Sequence, residues 1–323
     1  MMQAAVIHKY GKSDIFQIET VPKPSPRSDE VQIRVINSSV NPIDFKTRSG
    51  SIFFLSGWKF PRILGGDFSG VVTQCGSQVN HLKAGDEVYG FSSAATKGGA
   101  YGAFMCCPAS RVALKPDHLS HHQAASLPLA GLTAYQALHK EGNILPNMRV
   151  LITGATGGVG HFAVQIAKAA GCHVTGVCHS RNIELATTIG CDEVLPYDHS
   201  DFRQSGDQYD LIFDAVAKYG YYSCRKNLRP QGSYVSTVPS PSVMIMHVIS
   251  KSSSRKRGRM VSANGNTADL EILSRLSNKG LLSPYIENVF PLSEIAKAHA
   301  LSETEKVRGK IVIQVSQEPI VPR

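Results

Sequence analysis

Four glycines within seven residues, Gly154, Gly157, Gly158 and Gly160, constrain this chain more than any other feature. They follow the short apolar run Val150-Leu151-Ile152-Thr153, whose β-branched residues suit a strand buried on both faces of a parallel sheet. After them, Phe162, Ala163, Ile166, Ala167 and Ala170 fall at helical spacing, and Gly171 ends the helix. A second β-rich run, His173 to Cys178, follows at once, so the unit reads as strand, glycine turn, helix, strand with a right-handed crossover. A backbone without Cβ atoms lets a pyrophosphate approach, and the amides and dipole at the helix start favour the anion. The spacing Gly154-x-x-Gly157-x-x-Gly160 departs from the common GxGxxG, so a turn with no ligand is the competing reading. The flanking strands favour a dinucleotide cradle made of Gly154, Thr156, Gly157, Gly158, Val159 and Gly160.

The end of the second strand selects the dinucleotide. A carboxylate there would accept bonds from a ribose 2′-hydroxyl, whereas this chain reads Cys178-His179-Ser180-Arg181-Asn182 and has no acid. Ser180 can donate to a 2′-phosphate and Arg181 can add a charge-assisted bond, which predicts NADPH. The alternative is an Arg181 that faces solvent as the next helix begins.

At 323 residues the chain can bury two sizeable cores, and 42% hydrophobic with 18% charged residues describes an ordinary globular protein. The net charge of +9 is dispersed apart from Lys251 to Arg259, KSSSRKRGR. That run reads first as a solvated loop, with a phosphate, an anionic membrane surface or RNA as the partner it would otherwise contact. Seven cysteines without a CxxC spacing argue against a disulfide framework and a zinc knuckle, and for a reducing compartment. No apolar run approaches the roughly 20 residues that span a bilayer, and no presequence is recognisable. The expectation is a cytoplasmic protein, with peripheral membrane association as the alternative.

Before the glycine turn, short β-like runs at Met2 to His8, Phe16 to Val21, Val31 to Asn37, Gly70 to Cys75, Glu87 to Phe91 and Ala103 to Cys107 predict a β-rich first domain. His122 to Leu127 and Gly131 to Gly142 look helical. Beyond the turn, helices and strands alternate through Gly232 to Val238, which describes a doubly wound parallel sheet. Helices at Thr267 to Lys279 and Leu292 to Ser302 and a last strand Lys310 to Val315 predict a return to the first domain. The expected boundaries are 1–122, 123–262 and 263–323.

An ordered set of motifs adds to this reading: Asn41-Pro42-Ile43-Asp44-Phe45-Lys46 with Arg48-Ser49-Gly50, Gly65-Gly66-Asp67-Phe68-Ser69-Gly70, Ala84-Gly85-Asp86-Glu87-Val88-Tyr89-Gly90, Leu129-Ala130-Gly131-Leu132-Thr133-Ala134, the glycine turn and Arg308-Gly309-Lys310. Together they resemble the quinone oxidoreductase branch of the medium-chain dehydrogenase/reductase superfamily, near the chloroplast-envelope and enone reductase groups. The resemblance implies an α/β protein: a GroES-like β-rich catalytic domain plus a Rossmann domain, NADPH as cofactor and a homodimer. It also implies that Asn41 lies beside nicotinamide and substrate, and that Asp44 holds the Asn-Pro-x-Asp loop, with an Asx-turn as the plainer role for both. Thr133, Ser180, Arg181, Tyr197, Val216, Pro239 and Lys310 match positions around the cofactor.

Zinc-dependent members of that superfamily carry Cys and His ligands where this chain has Asn41-Pro42-Ile43-Asp44 and Gly65-Gly66-Asp67, and the four-cysteine lobe is missing. His121 and His122 are sequence neighbours that project about 100° apart on a helix, so no metal site is expected. Without a Lewis acid for an alkoxide, the favoured acceptors give a stabilised product: a quinone, or the C=C bond of an α,β-unsaturated ketone or aldehyde. Phe53 and Trp58, with Phe54 and Leu55, form either an aromatic lip for a planar substrate or core packing. Relatives with a tyrosine in this stretch have a possible proton donor; here none is local in sequence. The alternative function is an NADPH-binding interaction or RNA-binding protein with little catalysis.

Overall fold

The computed structural model describes residues 1–93, 95, 97–238 and 256–316. Among these the chain divides into two compact units, one made of Met1–Leu129, Gly265–Asn278 and Pro284–Arg323, the other of Ala130–Asn264 and Lys279–Ser283.

The second unit is built on one sheet. Its strands lie side by side in the order Glu193–Pro196, His173–Cys178, Arg149–Thr153, Tyr209–Asp214, Leu228–Ser236 and Arg257–Met260. Every pair is parallel. In chain order this is 3-2-1-4-5-6, the doubly wound arrangement that the alternating pattern predicts. Val150, Leu151 and Ile152 of the central strand are fully buried, which is why that strand reads as an apolar run. The helix Gly160–Ala169 buries Phe162, Ala163, Val164, Ile166 and Ala167.

The last strand, Arg257–Met260, corrects the reading of the basic run as a solvated loop. Residues 257–259 pair with Ser233, Tyr234 and Val235, so they form the sheet's edge, where charged side chains are tolerated. Lys256 donates its ammonium to the Arg225 carbonyl at 2.8 Å. The rest of the run, 251–255, lies outside the described residues.

The first unit is β-rich. A seven-stranded sheet runs in the order Ile286–Pro291, Lys310–Gln314, Glu30–Val40, Asp67–Cys75, Glu87–Phe91 and Val112–Leu114, with Phe104–Pro108 also paired to Glu30–Val40. A smaller sheet joins Gln17–Val21, Met2–Ile7 and Arg62–Ile63. The long strand Glu30–Val40 is therefore the hub, and Val31, Ile33 and Val35 pack with Phe68, Val72, Val88, Met105 and Val112 into one core. The C-terminal segment adds a strand to this sheet: Ile311 to Gln314 pair antiparallel with Asn37 to Val40.

Candidate active site

In the second unit the strand Arg149–Thr153 runs into Gly154, whose φ is +60°, a conformation that favours glycine. The turn is closed by the Gly157 amide donating to the Gly154 carbonyl at 2.9 Å and the Ala155 amide donating to Val177 at 3.0 Å. A Cβ on Gly160 would stand 1.9 Å from the Gly154 carbonyl oxygen, so the first helical turn sits directly on the strand end. Val216 comes to the same place, where its Cγ1 would lie 2.4 Å from a Cβ on Gly154. The Asn182 amide group donates to the Thr156 hydroxyl at 3.3 Å, while the Asn182 Oδ1 is buried without a donor. A tight glycine turn at a helix start, with an orphaned acceptor beside it, fits a dinucleotide: the turn for the pyrophosphate, the acceptor for a ligand hydroxyl.

The 2′ corner adds an acid that sequence reasoning missed. Asp198 accepts the Ser180 hydroxyl at 2.6 Å and the Ser180 amide at 2.8 Å. Tyr197 is half exposed and meets the His179 ring edge to face at 5.6 Å. Arg181 gives its backbone amide to His179 Nδ1 at 3.3 Å. Thr133 lies nearly buried on the helix Pro128–Tyr135, and Pro239 lies outside the described residues.

The first unit gathers Asn41, Asp44 and Lys310, and adds Asp67. Asn41 precedes the helix Pro42–Ser49, and the stretch expected as a loop is that helix's capped start. Asp44 Oδ2 accepts the Asn41 amide at 2.8 Å, the backbone half of a capping box. Proline at the first helical position loses no hydrogen bond there, which is why Pro42 starts a helix instead of breaking one. The Asn41 side chain is spent elsewhere: its Nδ2 donates to Asp67 Oδ2 at 2.8 Å, and its Oδ1 accepts from the Lys310 ammonium. Asp67 also accepts the Ser39 hydroxyl at 2.7 Å and the Leu129 amide at 2.8 Å, and Lys310 Nζ stands 3.6 Å from it. Asp67 and Asp44 are fully buried, Asn41 and Lys310 only 3% exposed. Burial lowers the Lys310 pKa against the pull of Asp67 and Asp44.

Burial pushes the Asp44 carboxyl up from 3.8 to about 7, opposed by the Asn41 amide. Its other oxygen is buried without a partner, which leaves the charged form poorly solvated. The folded state therefore binds this proton more tightly than the unfolded chain. The stabilisation is complete below pH ~4 and is lost as pH rises through about 7. Asp44→Asn should flatten the fall in urea midpoint between pH 5 and 8; a fall as steep as in the wild type would remove Asp44 as its cause.

The aromatic stretch is not core. Phe53 is 46% exposed and Trp58 69%, with their rings 5.4 Å apart on and beside the short helix Phe53–Ser56. Tyr10, distant in sequence, stacks edge to face on Trp58 at 5.4 Å and donates to the Gly57 carbonyl. A tyrosine is thus present in space where none is near in sequence, with its proton already engaged. His121 is buried with Nδ1 2.8 Å from the Ser69 hydroxyl, and among the described residues no group of three His, Cys, Asp or Glu is placed to hold a metal.

Comparison with known proteins matches residues 27–117 to the alcohol dehydrogenase GroES-like domain and residues 189–313 to the zinc-binding dehydrogenase family. The chloroplast envelope quinone oxidoreductase homolog of Arabidopsis thaliana is 33% identical over 304 residues, 91% of this chain and 92% of its own length. This chain belongs to the quinone oxidoreductase family of the medium-chain dehydrogenases/reductases. The solved quinone oxidoreductase of Coxiella burnetii is 34% identical, with a TM-score of 0.89 over 98% of this chain and 99% of that one. The Escherichia coli quinone oxidoreductase, solved in complex with NADPH, is 25% identical with a TM-score of 0.82 over 97% of this chain and 99% of its own. The two-domain plan of this family, a GroES-like domain and a Rossmann-type parallel sheet, is the one that the strands describe. No helix among the described residues is long and apolar enough to cross a membrane.

Proposed function

We propose that this protein is an NADPH-dependent, zinc-independent reductase that delivers hydride to a quinone or to the C=C bond of an α,β-unsaturated ketone or aldehyde. The reading is carried by the turn Gly154 to Gly160 at the end of the central parallel strand, where the absent Gly160 Cβ lets the helix start sit against the strand end, the packing that turns the first helical amides toward a pyrophosphate. The NADPH complex of the Escherichia coli relative supports the cofactor. When bound, the dihydronicotinamide supplies the hydride; with one proton from water, a quinone becomes a hydroquinone and an enone a saturated carbonyl. Both acceptors share a conjugated carbonyl, so one site can take either.

The residues of this chain bind and orient. Gly154, Thr156, Gly157, Gly158, Val159 and Gly160 would hold the pyrophosphate, with Val216 and Asn182 beside the turn. Ser180, Arg181 and Tyr197 would meet the adenosine ribose, and Thr133 the nicotinamide end. Asn41 and Asp44 act as positioning residues, since the side-chain amide of Asn41 is engaged at both ends and Asp44 is buried. Lys310 sets Asn41 through its ammonium. Phe53 and Trp58 offer an exposed apolar surface to a planar acceptor.

The test is consumption of NADPH, with NADH in parallel, by chelator-treated protein against quinones, α,β-unsaturated ketones and aldehydes. Turnover of one class after chelation is the expected result. Tight cofactor binding with no turnover of any acceptor would overturn the reductase reading in favour of a cofactor-binding interaction protein.

A further inference from the structure

The strand His173–Cys178 and its parallel neighbour Glu193–Pro196 end side by side, with Cys178 in register with Pro196. The first continues into His179-Ser180, the second into Tyr197-Asp198, so an acid from the third strand of the sheet arrives where an acid from the second was looked for. Asp198 Oδ1 accepts the Ser180 amide at 2.8 Å and Oδ2 accepts its hydroxyl at 2.6 Å. Both donors that Ser180 could offer a ligand are engaged by a carboxylate of this chain.

Two imidazoles and an ammonium lie around that carboxylate. His179 Nδ1 lies 3.6 Å from Asp198 Oδ2 and accepts the Arg181 amide at 3.3 Å. His199 Nε2 stands 3.7 Å from the same oxygen, and Lys218 Nζ lies over the Tyr197 ring, 5.7 Å from its centroid. The Ser180 hydroxyl, first, holds the Asp198 carboxyl down at about 2, so it is ionised throughout the neutral range. An ionised carboxylate only accepts. A ribose 2′-hydroxyl can donate to it; a 2′-phosphate must take Ser180 away from it and sit beside like charge.

We propose that Asp198 is a specificity-determining residue of the dinucleotide site, one that holds the preference for NADPH over NADH below what Arg181 and Ser180 would give without it. This rests on the reading of the site given above. Arg181 and Ser180 pull toward the phosphate, and Asp198 opposes them through Ser180 itself.

Isothermal titration of the full chain with NADPH and with NADH, at one salt concentration, tests it with the variants Asp198→Asn and Asp198→Ala. Both variants should shift the Kd ratio toward NADPH by at least about tenfold, a shift the size of one removed like-charge contact. An unmoved ratio, or an equal loss for both cofactors, would show that Asp198 only braces the turn and overturns the inference. Wild-type protein that binds neither cofactor would sink the proposed function along with it, whereas wild-type binding with an unmoved ratio removes Asp198 alone.

Discussion

Asp67→Ala is expected to cost the folded state about 3–5 kcal/mol, the range for removing one member of a buried charged pair. The carboxylate is fully buried and serves four groups: the Lys310 ammonium at 3.6 Å, the Ser39 hydroxyl, the Asn41 side-chain amide and the Leu129 backbone amide. An alanine leaves the Lys310 ammonium, 3% exposed, with the Asn41 and Val40 oxygens but without its carboxylate, and takes an acceptor from three donors. Unpaired buried donors cost about 1–3 kcal/mol each when nothing relaxes, so the upper half of the range is the realistic one. Asp67→Asn keeps the shape and one carbonyl oxygen, and its loss should be smaller. Urea unfolding followed by far-UV circular dichroism measures both. A loss below about 1 kcal/mol in the alanine variant would mean that Lys310 is not held as a charge in this cluster.

How much of this was legible follows from what each signal depends on. The parallel sheet and the glycine turn are written in local runs: Val150 to Ile152 and Leu211 to Phe213 are apolar because both sheet faces are covered, and no distant partner is needed to see it. The helix Pro42–Ser49 was open to reading, since Asn-Pro-x-Asp is an N-cap with proline at the first position, yet the same four residues also spell a turn. The strands Ile286–Pro291 and Arg257–Met260 lie at sheet edges, half covered, and so lack the alternation that marks a strand. Asn41, Asp44 and Lys310 were singled out through the motifs, but their meeting with Asp67 in one cluster was not legible. Asn41 meets Asp67 across 26 positions and Lys310 across 269, and it is the antiparallel pairing of Glu30–Val40 with Asp67–Cys75 on one side and with the last strand on the other that brings them together. Asp198 lay within reach of sequence reasoning: extending the search for an acid from the end of the second strand to the end of the third, 18 residues beyond Ser180, would have found it.

Gly160→Ala should abolish the dinucleotide site and strain the fold, whereas Gly157→Ala should leave the fold almost unchanged. A Cβ at Gly160 would meet the Gly154 carbonyl oxygen at 1.9 Å, the Gly154 carbonyl carbon at 2.7 Å and the Ala155 Cα at 2.9 Å, all backbone atoms that no rotamer change can clear. The helix start must then move off the strand end. Overpacking of this kind costs about 3 kcal/mol, and the amides at the helix start no longer converge on a common anion. At Gly157 the nearest atom would be the same Gly154 oxygen at 3.3 Å, a contact relieved by a few tenths of an ångström, so the cost should stay under about 1 kcal/mol. Thermal unfolding and cofactor titration of the two variants separate these cases. The expected result is at least a hundredfold loss of NADPH affinity for Gly160→Ala, equal to about 2.7 kcal/mol, together with a lowered unfolding temperature, and an unfolding temperature close to that of the wild type for Gly157→Ala. An unchanged NADPH affinity in Gly160→Ala would mean that cofactor affinity does not depend on the close approach of helix and strand, and the pyrophosphate would have to be bound elsewhere in the unit.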